Sequence, residues 1–154
     1  MVVYDSVFGN TEKIALAISS ALGSEGSVGT FRVSEIKPEQ LVGLSLLLVG
    51  SPTRAFRPTK EMVSFLNMIP ADGLKGVKVA AFDTRISEAN SRIMNVLVKF
   101  LGYAAQPLAA LLVKRGGSQL IPPEGFYVKD SGGPLLDGEL ERAAAWAGQL
   151  LKAL

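Results

Sequence analysis

The 154-residue chain is predicted to be an α/β protein, with three layers built around a doubly wound parallel sheet. Two observations predict this class. Apolar runs that end at turn residues alternate along the chain with segments whose apolar residues recur at helical spacing. Three of these runs are almost entirely hydrophobic, which is typical of strands covered on both faces. Because no internal repeat, linker or charge block breaks the pattern, residues 1–154 are predicted to form one domain.

Five strands are predicted from the apolar runs, at residues 1–5, 28–33, 45–50, 76–83 and 118–129. The last is a split pair, in which the segments SQLI and GFYVK lie on either side of Pro122 and Pro123. The first strand is short, which leaves open whether a few residues that would precede it are missing.

Two helices are predicted in the N-terminal half. The first ends at Gly23 and has its apolar residues at helical spacing, namely Ile14, Ala17, Ile18 and Ala21. The second is expected to begin near Pro58, because proline is well tolerated in the first turn of a helix. Its apolar residues follow at Met62, Val63, Phe65, Leu66 and Ile69.

Three helices are predicted in the C-terminal half, at residues 90–101, 106–116 and 137–154. The first ends at Gly102, and the second begins with a proline and ends with basic residues and glycine. In the third, Asp137 is expected to cap the helix. Its inner stripe is predicted to be Leu140, Ala144, Ala147 and Leu151.

Composition excludes several classes of function. Hydrophobic residues make up 48% of the chain and charged residues 19%, which indicates a globular protein. A net charge of +2 with no basic stripe argues against nucleic-acid binding. The absence of cysteine and histidine excludes thiolate metal sites and argues against most side-chain acid–base enzymes. The longest apolar stretch, residues 41–50, is far too short to cross a bilayer, so we expect a cytoplasmic protein without membrane partners.

Three segments follow predicted strands at the edge of the sheet where ligands of such folds bind. They read SVFGNTEK, GSPTRAFRPTK and FDTRISEANS, after strands one, three and four. In the first, a Gly-Asn pair enters a helix and leaves backbone N–H groups pointing outward, with Ser6 and Thr11 as further donors. This arrangement suits a phosphate without any lysine or arginine. The alternative is that Ser6 or Asn10 only caps the helix and that Gly9 only allows the backbone conformation of the turn.

The second segment contains Pro52, which fixes the backbone after a buried strand, and Phe56 among polar and basic neighbours. Phe56 could form one wall of a slot for a flat ligand, or it could fold back into the core. In the third segment, Asp83, Thr84 and Arg85 follow strand four and supply polar groups, while Ser87 is expected to cap the next helix.

Together the three segments resemble the flavodoxin family in order and spacing, and the resemblance covers essentially the whole chain. It implies a five-stranded sheet in the order 2-1-3-4-5, with flavin mononucleotide (FMN) bound where the strand order reverses. By this similarity, the phosphate would be enclosed by Ser6, Val7, Phe8, Gly9, Asn10 and Thr11. The flavin ring would be flanked by Pro52, Thr53, Arg54, Ala55, Phe56, Asp83, Thr84 and Arg85.

The sequence departs from the flavodoxin pattern in three places. Phe8 stands where the family usually has a second hydroxyl residue, which predicts a modest FMN affinity. The segment after strand four offers no aromatic residue to stack on the ring. Electron-carrying flavodoxins are typically acidic, whereas this chain has Arg54, Arg57 and Arg85 in the loops that should surround the ring, so a bound flavin is expected to be easier to reduce. The alternative is that these arginines are only solvated surface.

The resemblance implies an FMN-binding electron-transfer protein that exchanges electrons with redox partner proteins, as a monomer or weak dimer. No catalytic side chain or metal is expected. One alternative is a flavin-dependent reductase of quinone-like small molecules; another is a regulatory domain of the same fold that has lost FMN. A phosphate-accepting receiver domain shares the sheet order but would need an acidic pair after strand one, where this chain has Asp5 alone.

Overall fold

The computed structural model describes residues 1–23, 28–87 and 102–154. Within these ranges six strands form the sheet: β1 (Val2–Tyr4), β2 (Thr30–Arg32), β3 (Leu46–Pro52), β4 (Lys78–Ile86), β5 (Ser118–Gln119) and β6 (Glu124–Val128). The α-helices of the described ranges are α1 (Asn10–Leu22), α2 (Lys60–Met68), α3 (Ala105–Lys114) and α4 (Glu139–Ala153). Two short 3-10 turns, Val33–Glu35 and Pro38–Leu41, connect β2 to β3. The helix predicted at 90–101 lies outside the described residues. The expected capping of that helix by Ser87 therefore stays a prediction.

All strand pairs of the sheet are parallel, in the order β2-β1-β3-β4, with β5 and β6 both beside β4. The fifth position is therefore filled by two successive segments, as the split pair around Pro122 predicts. The predicted order 2-1-3-4-5 is confirmed. The strand order reverses between β1 and β3, because the chain goes from β1 to β2 on one side and then crosses to β3 on the other.

A helical layer covers each face of the sheet, so the three-layer prediction is confirmed. Neighbouring residues of β1 point to opposite faces: Val2 belongs to the cluster that includes α1 and α4, and Val3 to the cluster that includes α2 and α3. On the α1 and α4 face, the rings of Phe82, Phe126 and Trp146 pack edge-to-face with centroids 6.1–6.3 Å apart. Within the described ranges, no helix is long and apolar enough to span a bilayer.

Most element boundaries differ from the sequence-based predictions by one to three residues, and three of the differences concern residues singled out above. Strand β4 continues to Ile86, so residues 83–85 belong to the strand rather than to a loop. Helix α2 begins at Lys60, two residues after Pro58, because the Thr59 hydroxyl accepts a hydrogen bond from the Met62 amide. Helix α4 has Gly138 as its N-cap instead of Asp137.

The inner face of α4 is also displaced from the predicted stripe. Its buried apolar residues are Ala143, Trp146, Ala147 and Leu150. Of the predicted residues only Ala147 is fully buried; Leu140 and Ala144 are exposed, and Leu151 is half-buried. The large indole ring of Trp146 decides the orientation, because it packs against Phe82 and Phe126 and turns that side of the helix inward. In α1, Ile14 and Ile18 are buried as predicted, whereas Ala17 and Ala21 are half-buried.

Candidate functional site

A pocket of about 190 Å³ opens at the carboxyl edge of the sheet, where the strand order reverses. This is the position at which ligands bind in doubly wound folds. Among the described residues, its lining comes from the loop after β1 (residues 6–8, 10 and 11), the end of β3 and its loop (52–55), the end of β4 (84–86), and β6 with its loop (128 and 131).

The loop after β1 enters α1 without a side-chain cap in the described part of the chain. Gly9 is the N-cap residue and adopts φ = +84°, a conformation that glycine accepts without strain. The amides of Asn10, Thr11 and Glu12 fall in the first turn, where a helix offers no acceptor. They carry the positive end of the helix dipole. The interpretation that Ser6 or Asn10 only caps α1 is therefore wrong.

Ser6 presents a hydroxyl that is buried and unused. The residue is 5% exposed, and within the described ranges its Oγ atom has no hydrogen-bond partner. Its backbone is held on both sides: the Ser6 amide donates to Asp5 Oδ1 at 2.8 Å, and the Ser6 carbonyl accepts from Arg32 Nη1 at 2.8 Å. Since a buried polar group without a partner costs free energy, this hydroxyl indicates a place for a polar ligand atom.

Arg32 ties this loop to the edge of the sheet. Besides the Ser6 carbonyl, its guanidinium contacts Glu12 Oε2 at 3.2 Å and lies 5.6 Å from the centre of the Tyr4 ring. The Tyr4 hydroxyl donates to Glu12 Oε1 at 2.9 Å. Burial, together with that hydrogen bond, raises the pKa of Tyr4 above its ordinary value. Arg32 therefore fixes the start of α1 without lining the pocket.

Two further contacts join the first loop to the other segments. The Thr11 and Thr84 hydroxyls lie 2.8 Å apart and share a hydrogen bond between α1 and β4. Asn10 Nδ2 donates to the Gly132 carbonyl at 3.1 Å, which fastens the loop after β6 beside the pocket. The floor of the pocket is thus crosslinked by polar side chains that are almost completely buried.

Asp83 and Arg85 form a buried ion pair in β4. Arg85 Nε and Nη2 donate to the two Asp83 carboxylate oxygens at 2.6 and 2.8 Å, and the Ala105 amide donates to Asp83 Oδ2 at 2.8 Å. The Arg85 guanidinium also lies over the Tyr103 ring, 3.6 Å from its centre. Burial raises the pKa of Asp83, and the hydrogen bonds from Arg85 oppose that rise.

This pair corrects the sequence-based interpretation of both residues. Asp83 is fully buried and does not line the pocket, and the Arg85 side chain is only 10% exposed rather than solvated. Gly125, beside Asp83 on β6, leaves the space that Arg85 fills, because a Cβ there would overlap the guanidinium.

The loop after β3 forms a tight two-residue turn. Arg54 and Arg57 exchange both backbone hydrogen bonds, at 2.8 and 3.0 Å. The two residues between them, Ala55 and Phe56, have φ of 45° and 65°, a region that favours glycine and asparagine. The Arg54 side chain lies over the Phe8 ring, with its Cζ atom 5.6 Å from the ring centre.

Phe56, predicted either as a wall of a slot for a flat ligand or as a core residue, does not line this pocket. It lines an adjoining groove next to α2 and α3, and Val7, Arg54 and Ala55 line both. Phe56 is half-buried and belongs to neither core cluster, so the alternative of a core residue is wrong. Its role as a wall for the flavin stays a prediction.

The structure brings most of the predicted site residues together. Of the fourteen, the pocket lining lacks only Gly9, Phe56 and Asp83. Sequence reasoning missed Ile86, Val128 and Ser131, which also line it. The rule used for strands one, three and four would have found the last two, since they lie at the carboxyl end of the fifth strand.

Comparisons with known proteins support the fold. No family model and no curated protein sequence matches the chain. Among solved structures, flavodoxin 2 from Bacillus cereus superposes with a TM-score of 0.79 at 20% identity, covering 99% of this chain and 97% of that one. Flavodoxin 1 from the same organism gives 0.78 at 18% identity with the same coverage. A flavodoxin from the domain Archaea gives 0.71 at 20% identity, over 99% and 96% of the two chains. The chain therefore has the flavodoxin fold.

Proposed function

We propose that this protein binds FMN and transfers electrons in the manner of a flavodoxin. One observation carries the proposal: the buried Ser6 hydroxyl, unpartnered among the described residues, lines the same pocket as the uncapped N-terminus of α1. A phosphate ester fits this donor set, because it offers several acceptor oxygens and a negative charge to the helix dipole.

The residues divide into two groups by their chemistry. The Ser6 hydroxyl and the amides at the start of α1 would hold the phosphate, with Gly9 allowing the backbone to approach closely. Pro52, Ile86 and Val128 supply apolar surface from three neighbouring strands, which suits the flat ring system. When bound, FMN supplies the redox chemistry, and the protein supplies binding, orientation and electrostatics.

Phe8 limits the affinity of this site. The residue is 55% exposed and offers the phosphate a backbone amide but no hydroxyl. Loss of one hydrogen bond to a charged group costs about 1.5–3 kcal/mol, or roughly ten- to a hundredfold in affinity. We therefore expect FMN binding to be measurable but weaker than in a site with a hydroxyl residue at position 8. Redox partner proteins, which the sequence does not identify, are proposed to exchange electrons with the bound flavin.

Flavin fluorescence during titration with protein tests the proposal. Wild type is expected to bind FMN at micromolar concentrations. Ser6→Ala removes one donor to a charged group, so its affinity is expected to fall roughly tenfold or more. Ser20→Ala, an exposed serine near the other end of α1, is the matched control and is expected to leave the affinity unchanged. Absence of binding to wild type at high micromolar protein would refute the proposal.

A further inference from the structure

Two arginines line the pocket, and they differ in whether their charge is compensated. The described lining contains Arg54 and Arg85 and no carboxylate. Arg85 is paired with both oxygens of Asp83 and stacked on Tyr103, so its charge is already balanced inside the protein. Arg54 is exposed, and among the residues the structure describes it has no acidic partner. In the described part of the lining, the cation without an acidic partner is therefore Arg54.

The Arg54 side chain contacts the loop that leads into the uncapped first turn of α1. Its guanidinium carbon is 5.6 Å from the centre of the Phe8 ring, and Phe8 directly precedes Gly9, the N-cap of α1. Both side chains belong to the lining of the pocket. A side chain from the loop after β3 thus crosses to the first loop and places a positive charge at the mouth of the pocket.

The backbone holds Arg54 in place from both directions. The Thr53 amide donates to the Thr84 carbonyl at 2.8 Å, and Arg54 itself is closed into the two-residue turn with Arg57. The left-handed conformations of Ala55 and Phe56 make this turn costly, and such strain persists where the surroundings enforce it. These contacts fix the backbone of Arg54, and its guanidinium is placed by the contact with Phe8.

We propose that Arg54 recognises the charge of a phosphate monoester dianion in this pocket. The inference deepens the proposed function by naming the residue that selects for the phosphate. Neutral donors, namely the Ser6 hydroxyl and the α1 amides, would bind the oxygens, while Arg54 adds a positive charge. The ratio of the affinities for FMN and riboflavin should then be larger than the neutral donors alone would give. This ratio should fall as the salt concentration rises.

Affinities of FMN, riboflavin and inorganic phosphate test this role in wild type, Arg54→Gln and Arg57→Gln. Arg57 is the matched control, because it is the backbone partner of Arg54 in the same turn and its side chain lines the adjoining groove instead of the pocket. Arg54→Gln is expected to weaken the binding of FMN and phosphate about two- to fivefold and to leave riboflavin binding unchanged. Arg57→Gln is expected to leave the FMN-to-riboflavin ratio unchanged.

The outcomes separate this inference from the proposed function. Equal weakening of FMN and riboflavin by Arg54→Gln, or an equal effect of Arg57→Gln on the ratio, would overturn the role of Arg54. If wild type bound phosphate but no flavin, the proposed function would be wrong. The phosphate affinities of wild type and Arg54→Gln would then still test the role of Arg54. If wild type bound neither phosphate nor flavin, both would be overturned.

Discussion

Breaking the buried pair between Asp83 and Arg85 is expected to be the most damaging single change near the pocket. Asp83 is fully buried and accepts three hydrogen bonds of 2.6–2.8 Å, two from Arg85 and one from the Ala105 amide. Removing one partner of such a pair strands the other and costs about 3–5 kcal/mol. For a chain of this size that lowers the melting temperature by roughly 6–20 °C.

The pair can be measured by a double-mutant cycle with Asp83→Asn, Arg85→Gln and the double variant. Urea unfolding is followed by the fluorescence of Trp146, the single tryptophan, which is buried in the core. Since the double variant leaves no unpaired charge, it should cost at least about 2 kcal/mol less than the sum of the single variants. Single costs that add to within about 0.5 kcal/mol would contradict this reasoning.

The same cycle has a predicted pH dependence. Burial raises the folded-state pKa of Asp83, so between the unfolded and folded pKa values the native state binds a proton that the unfolded state has lost. The free energy of unfolding therefore falls as pH rises through this window. Arg85→Gln removes the group that opposes the rise, so this variant should lose more stability than wild type as pH rises above the ordinary carboxyl pKa. A smaller loss in the variant would contradict the assigned direction.

Three other predictions concern the loops and the charges. Ala55→Gly should raise the free energy of unfolding by about 0.5–1 kcal/mol, because φ of Ala55 is 45° and glycine adopts this conformation without strain. The control Ala110→Gly, at an exposed helical position, should lower it by about 1 kcal/mol. If urea unfolding showed changes of the same sign for both variants, the positive φ of Ala55 would be refuted. In a fluorescence titration, Arg32→Gln should lower the affinity for FMN several-fold, because the Ser6 carbonyl loses its hydrogen-bond donor. Glu12→Gln should lower the affinity less. With FMN bound, potentiometric titration should show a larger fall in reduction potential for Arg54→Gln than for Arg57→Gln, since Arg54 lines the pocket and Arg57 does not; equal shifts would count against that placement.

The fold and the centre of the site follow from local signals in the sequence. Apolar runs alternating with helical repeats predict the sheet and its layers, and the rule for carboxyl strand ends locates the pocket. Gly9 and Asn10 mark the start of α1 in the sequence, but Asn10 and Ser6 are ordinary cap residues. That no side chain caps the helix is therefore visible only in the structure of the described residues.

The errors arise where tertiary contacts override local polarity. The predicted strand ends at residue 83, whereas β4 continues to Ile86, because ion pairing between Asp83 and Arg85 lets polar residues remain inside the strand. The contact with Tyr103 joins residues 18 positions apart, and no local pattern predicts it. Similarly, the residue types of Ala55 and Phe56 do not suggest the positive φ angles of their turn.

The central claim is that the start of α1 and the Ser6 hydroxyl bind the phosphate of FMN. A 1H–15N correlation spectrum recorded during titration with FMN tests it most directly. The account predicts that the amide resonances of Gly9, Asn10, Thr11 and Glu12 shift together and saturate with the flavin. Flavin binding that leaves these four resonances unmoved, or a spectrum that does not change at millimolar FMN, would contradict the account.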